Sequence, residues 1–298
     1  MKNIVGFFTN IERGASVLRR LGENGHRISA FVAPETIIGT TEGNKLAIEL
    51  EADVINLPAS FNDSAFLKVL NSINPMLIVL VGFNRIIPRR IIELPQYGVL
   101  NLHGGPLPHY RGGSALNWQI LNGETKGGVS IIRVEAGVDT GPILCQRSFD
   151  ILDQDDIATV HAKANALFPE MVLETVSAME DNTLAETPQD SNNAVYWHQR
   201  SDVDGAIDFY NTTASSVHNL VRALTTPYPG AHTRNGSVEV RILKTEIPEI
   251  IIKGTPGTVL YLSGDGPFVI CADIGLRILS YTTSDGSQLR HKDRLSNR

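Results

Sequence analysis

Short apolar runs alternate with stretches of helical periodicity through the first half of this chain. Residues 2–8, 27–33, 53–57, 75–82, 98–102 and 128–134 read as strands. Between them 11–21, 44–51, 63–73, 87–93 and 114–121 read as helices, with Asp63 placed to cap the third. Such alternation predicts an α/β architecture with a mostly parallel, doubly wound sheet. A long amphipathic stretch, 157–179, is expected to pack across that sheet. Residues 181–204 lose periodicity and are rich in Asn, Asp, Thr and Gln, which marks a connecting segment. From Gly205 the pattern changes to one helix, 213–224, and short strands at 238–246, 257–262, 267–271 and 276–281, broken by Gly, Pro and Asp. That reads as a small antiparallel barrel, giving domains 1–204 and 205–298, with a loosely ordered polar tail from Thr282.

Two domains is also what 298 residues suggest. The longest apolar runs, such as 76–81, have the length of a buried strand and fall far short of the ~20 residues of a membrane helix. The N-terminal MKNIVGFFTN is too short and too polar for a secretion signal, so a soluble, cytoplasmic protein without membrane partners is expected. Cys145 and Cys271, single and distant, suit two buried thiols in a reducing compartment. Lys and Arg total 26 against 32 Asp and Glu, a net charge of -6 without a dense basic block, which argues against broad nucleic-acid binding.

Candidate chemistry sits where the fifth strand stops. Asn101 and His103 are two residues apart, a spacing that aims an amide and an imidazole at one face, and Gly104-Gly105-Pro106 then breaks the strand. Thirty-six positions after His103 comes Asp139, in the glycine-flanked loop Gly137-Val138-Asp139-Thr140-Gly141. Amide, imidazole and carboxylate above adjacent strands suit acyl transfer to an amine without a Ser or Cys nucleophile. Other chemistries lose ground. After the first strand, Gly6-Phe7-Phe8-Thr9-Asn10 lacks G-x-G-x-x-G, and the chain has no P-loop, H-E-x-x-H, C-x-x-C or G-x-S-x-G. The remaining histidines show no metal-ligand spacing, so no metal is expected, and His109 and Tyr110 read as loop surface.

The run N-L-H-G-G-P-L-P-H-Y-R-G followed by G-V-D-T-G resembles the folate-dependent formyltransferase family, and the likeness extends through Leu116-Asn117-Trp118 and Gly141-Pro142-Ile143. Val221-Arg222-Ala223-Leu224 and Pro227-Tyr228-Pro229-Gly230-Ala231 resemble the family's C-terminal barrel. The resemblance implies a Rossmann-like sheet followed by an OB-like barrel, and 10-formyltetrahydrofolate as formyl donor. It implies Asn101 as oxyanion stabiliser, His103 as proton carrier and Asp139 as the partner of the imidazole. It places pterin recognition on two loops, Arg85-Ile86-Ile87 and Glu135-Ala136-Gly137-Val138-Asp139, where Gly82 and Gly137 permit close approach of backbone to a flat ring. Arg111, Gly104 and Tyr228 are the expected substrate contacts.

Two acceptors compete: a nucleotide-linked amino sugar and methionine carried on initiator tRNA. The stretch 33–43, where the tRNA enzymes carry a basic insertion, has no Lys or Arg here. Neutralising several phosphates needs several cations, so the expectation is the sugar, closest to the domain that formylates UDP-4-amino-4-deoxy-arabinose in lipopolysaccharide biosynthesis. Gly113 departs from that domain, which has a substrate-binding arginine there. A formyltetrahydrofolate hydrolase is a further alternative, and a homo-oligomer is compatible with the sequence.

Overall fold

Strand β1 (Ile4–Phe8) is buried at every position, because both faces of the sheet it belongs to are covered. The computed structural model describes residues 1–297. After β1 come α1 (Ile11–Glu23), β2 (Ile28–Ala33), α2 (Glu35–Ile38), α3 (Thr41–Leu50), β3 (Asp53–Asn56), α4 (Ser64–Ile73), β4 (Leu77–Val81) and α5 (Arg89–Ile92). Then follow β5 (Val99–His103), β6 (Arg111–Gly112), α6 (Ala115–Leu121), β7 (Lys126–Arg133), β8 (Ile143–Asp150), α7 (Ile157–Glu180) and β9 (Tyr196–Trp197). Side-chain caps start the helices where expected: Asn10 accepts from the Arg13 N–H, and Asp63 Oδ1 from the Phe66 N–H at 2.9 Å.

One sheet has the order β3-β2-β1-β4-β5-β7-β8. β1 pairs parallel with both β2 and β4, and β4 with β5, so the chain reverses its winding between β1 and β4. β7 lies antiparallel to β5, with Leu100 opposite Arg133 and His103 opposite Ser130. One face packs Val5, Phe7, Ile78, Leu80 and Val99 against Phe66, Leu70 and Ile91 of the helices. Among the described residues, no helix is long and apolar enough to cross a membrane.

The remainder forms α8 (Ala214–Leu224), β10 (Ala231–Asn235), β11 (Val238–Glu246), β12 (Val259–Leu262), β13 (Asp265–Ile270) and β14 (Gly275–Thr283). These five strands make a second sheet in the order β10-β11-β14-β13-β12. The tail from Thr282 departs from expectation: residues 293–296 lie along both edge strands. The Val259 N–H donates to the Asp293 carbonyl at 2.9 Å, the Leu295 N–H to Gly257 at 2.8 Å and the Ser296 N–H to Arg234 at 2.9 Å. Leu289 and Leu295 are buried in the same core as Val217, Val240 and Ile278. Two apolar anchors in a polar stretch are enough to order it.

Packing divides the chain into one unit of residues 1–115, 128–149 and 163–198, and another of 116–127, 150–162 and 199–298. This division is interleaved, whereas the sequence pattern suggested a single crossing at 204/205. Cys271 is buried, but Cys145 on β8 is only half-buried, which corrects the reading of two buried thiols. β8, β10 and α2 have no clear apolar period and escape the pattern. β8 is a partly exposed strand carrying Gln146, Arg147, Ser148 and Asp150.

On α8, His218 Nδ1 lies 2.8 Å from Thr245 Oγ1. Burial pushes its imidazole below the usual 6.5, and the nearby Arg222 charge acts the same way. A base whose folded pKa is depressed contributes fully above its unfolded value, and that contribution is lost as pH falls through the unfolded value towards the folded one. The melting temperature should therefore fall between about pH 7.5 and about pH 5.5, and His218→Gln should flatten the fall. His26, lowered by burial and by the N-terminal charge, keeps part of the slope in the variant. Identical slopes in the two proteins would contradict this account.

Candidate active site

β5 places Asn101 and His103 on one face, with Leu100 and Leu102 buried on the other. Because β7 runs antiparallel to β5, the 134–142 loop leaves beside Leu100 and must fold back to bring Asp139 in. The loop thus reaches the site from an antiparallel neighbour of β5, and the three side chains come together as expected above adjacent strands. Asn101 Nδ2 donates to Asp139 Oδ1 at 3.2 Å, and His103 Nδ1 lies 3.5 Å from Asp139 Oδ2. The other ring nitrogen, Nε2, faces the Tyr110 carbonyl at 2.5 Å, so both imidazole nitrogens look at oxygen acceptors. His103 is 6% exposed.

The second carboxylate oxygen of Asp139 also accepts the Gly112 N–H at 2.9 Å. Gly112 has φ 95, and a Cβ there would stand 2.2 Å from the Trp197 carbonyl, so only glycine lets β6 and β9 close on each other. Asp139 itself has φ 52, in the left-handed region that asparagine and aspartate tolerate best among non-glycine residues. Gly105 lets the His103 loop fold tightly, since a Cβ there would sit 2.6 Å from Tyr110 Cβ.

The other expected residues separate into groups. Glu135, Ala136, Gly137 and Val138 lie on the Asp139 loop, with Val138 exposed, and Gly104 directly follows His103. Ile86 is 80% exposed and Ile87 buried. Arg85 is committed internally: its guanidinium donates to the Pro58 and Ala59 carbonyls and lies 4.5 Å over the Phe61 ring. Arg111, expected to meet a substrate phosphate, is 3% exposed. Its Nε donates to Gln189 Oε1 at 3.0 Å and one terminal nitrogen to the Tyr196 hydroxyl at 2.9 Å. Buried this way, its guanidinium braces β6 against Gln189 and Tyr196. Tyr228 belongs to the other unit, where its hydroxyl lies 3.2 Å from His161 Nε2. Tyr110 is buried rather than loop surface.

Sequence reading missed Gln189, which lies in the stretch taken for a linker. Its amide donates to the Asp139 carbonyl at 2.8 Å and to the Gly141 carbonyl at 2.6 Å. The available signal was the apolar triplet Val195-Tyr196-Trp197, out of place in a solvated connection. Among the described residues, no group of three or more His, Cys, Asp or Glu side chains could hold a metal ion.

An α/β sheet with this trio, followed by an antiparallel sheet, defines a two-part group-transfer enzyme. Family models described as "Formyl transferase" and "Formyl transferase, C-terminal domain" match residues 20–176 and 200–297. The chain belongs to the formyl transferase family, and it is a folate-dependent formyltransferase. It is 34% identical to a methionyl-tRNA formyltransferase of Caldanaerobacter subterraneus subsp. tengcongensis over 88% of this chain and 86% of that one. It is 32% identical to a methionyl-tRNA formyltransferase of Thermodesulfovibrio yellowstonii over 97% and 94% of the two chains. In fold it is similar to an N-formyltransferase from Helicobacter canadensis, solved with folinic acid and dTDP-3-aminofucose. That match has a TM-score of 0.73 at 17% identity and covers 93% of this chain and 99% of the other.

The tRNA-enzyme relatives overturn the expectation of a nucleotide-linked amino sugar. That expectation rested on a missing basic insertion, on a barrel and tail read as not conspicuously basic, and on the likeness of the Tyr228-Pro229-Gly230-Ala231 and Leu116-Asn117-Trp118 runs to sugar enzymes. Residues 1–198 carry 15 Lys and Arg against 22 Asp and Glu, whereas 199–298 carry 11 against 10.

Proposed function

We propose that this chain transfers the formyl group of 10-formyltetrahydrofolate to the amino group of methionine esterified to tRNA, using Asn101, His103 and Asp139. The observation that carries the chemistry is one carboxylate, Asp139, bonded to Asn101 and adjacent to His103 Nδ1. The amine attacks the formyl carbon, a C–N bond forms and the carbonyl oxygen becomes an oxyanion. Asn101 spends one Nδ2 hydrogen on Asp139 and keeps the second for that oxyanion. The adduct collapses with loss of the folate nitrogen, which receives the proton that the amine gives up. His103 carries that proton, and Asp139 orients the ring. Ile86 and Val138, apolar and exposed on the two expected pterin loops, are suited to cover the faces of a flat ring.

The acceptor reading is supported by the relatives and by the basic residues exposed in 199–298. Lys244, Lys253, Arg290, Lys292 and Arg294 are all exposed, the last three on the tail that borders the second sheet. Purified protein supplied with 10-formyltetrahydrofolate and methionyl-tRNA should yield formyl-methionyl-tRNA and tetrahydrofolate in equal amounts. Binding should weaken steeply with added salt, as counterion release requires. Folate turnover without an acceptor, or formylation only of nucleotide-linked amines, would refute the reading.

A further inference from the structure

We propose that the stretch 186–198 belongs to the catalytic apparatus, with Gln189 as the positioning residue that fixes Asp139. The inference deepens the function proposed above and rests on Asp139 having the role given there. Asp139 occupies a left-handed conformation that costs a non-glycine residue energy, so something outside the loop must select it. The loop is closed at its base by the Arg133 N–H donating to the Pro142 carbonyl at 3.1 Å, and nearer Asp139 it offers the long contact from Thr140 Oγ1 to the Ala136 carbonyl at 3.3 Å. Gln189 supplies the rest. The two hydrogens of one amide reach the carbonyls of Asp139 and Gly141, clamping the turn at both ends.

The clamp is itself held. Gln189 Oε1 accepts from Arg111 Nε at 3.0 Å, which fixes the amide so that its NH2 faces the loop. Arg111 is buried, its charge set against neutral partners, Gln189 and the Tyr196 hydroxyl, with its guanidinium 5.4 Å from the Tyr196 ring. The next residue, Gly112, gives its N–H to the Asp139 carboxylate. Asp139 is thus gripped twice from one direction, at its carbonyl through Gln189 and at its carboxylate through Gly112. Both grips trace to β6, which is paired with β9. Farther along, Thr187 exchanges two backbone hydrogen bonds with Ile143 at 2.8 and 2.9 Å, anchoring the start of the stretch to β8. A solvated linker would have none of these commitments.

Gln189→Ala removes both donors together with the acceptor of Arg111 Nε, whereas the backbone hydrogen bonds that pair β6 with β9 do not involve the glutamine. We expect kcat for formyl transfer to fall about 100-fold, as a misplacement near 1 Å can cost, with KM for donor and acceptor within about twofold. Gln189→Glu, which presents a carboxylate to two carbonyls, should be at least as slow. A second measurement needs no substrate: amide hydrogen exchange in the full chain. The Gly112 N–H, bonded to Asp139, should exchange about tenfold faster in Gln189→Ala. The Arg111 and Gly113 N–H groups, bonded to the Val195 and Trp197 carbonyls, should not change. Unchanged kcat, a loss confined to KM, or equal deprotection of all three amides would overturn the proposal. If the wild-type chain fails to formylate methionyl-tRNA, the acceptor assignment falls, and the exchange pattern still decides the role of Gln189.

Discussion

Asn101→Ala should lower kcat by about 100-fold to 1000-fold, the loss that follows removal of one donor from an oxyanion site. The side chain is only partly buried within β5, and its neighbours Leu100 and Leu102 carry the packing, so the melting temperature should stay nearly constant. The truncation removes the hydrogen that the proposed mechanism assigns to the oxyanion and also frees Asp139 Oδ1 of its 3.2 Å partner. Because the proposed interaction with the oxyanion exists only once the adduct forms, KM for the amine acceptor should hardly move. Steady-state kinetics beside circular dichroism would check both halves. Near-normal turnover, or a rise in KM with kcat retained, would count against the assigned role.

Asp139→Asn should cost about 100-fold to 10,000-fold in kcat, the range for removing a component of acid–base catalysis, and should leave the fold in place. Asparagine tolerates the left-handed conformation and matches the shape, so the loop keeps its path. An amide, however, has one accepting oxygen where the carboxylate has two. Asn101 Nδ2 and the Gly112 N–H now take one oxygen each, and His103 Nδ1 faces the second. In the variant one of these donors meets an NH2 group, and the imidazole loses its anionic partner. Asp139→Ala is a poorer probe, because alanine is ill suited to φ 52 and would confound loop geometry with charge. Turnover within a factor of about ten of wild type in Asp139→Asn would remove the carboxylate from the mechanism.

Where the sequence was readable, it was so for physical reasons. The sheet showed itself because strands such as β1 and β4 are covered on both faces and therefore run apolar without interruption. Asn101 and His103 stood out because polar side chains two apart at the end of such a strand have no packing reason to be there. Four features stayed hidden. The path of Asp139 depends on β7 running antiparallel to β5, and orientation leaves no mark on an apolar run. The internal partners of Arg111 were out of sight because sequence cannot tell a buried guanidinium from an exposed one. Gln189 and the tail failed for a shared reason: long-range hydrogen bonds and one or two anchoring leucines order a polar segment without giving it a period. The acceptor was misjudged for a different reason: a missing basic insertion and a near-neutral C-terminal stretch, 11 Lys and Arg against 10 Asp and Glu in 199–298, do not by themselves exclude a tRNA.

The hold that 186–198 has on the Asp139 loop bears on how this enzyme could be recombined with its relatives. A hybrid seamed just after α7, where the apolar periodicity ends, would set a foreign version of the 186–198 stretch against a native aspartate loop. Partners that diverged separately would then meet at the reacting centre, and the hybrid would fold yet turn over poorly. A seam placed beyond His198 keeps clamp and loop from a single parent, so crossovers that survive selection should cluster there.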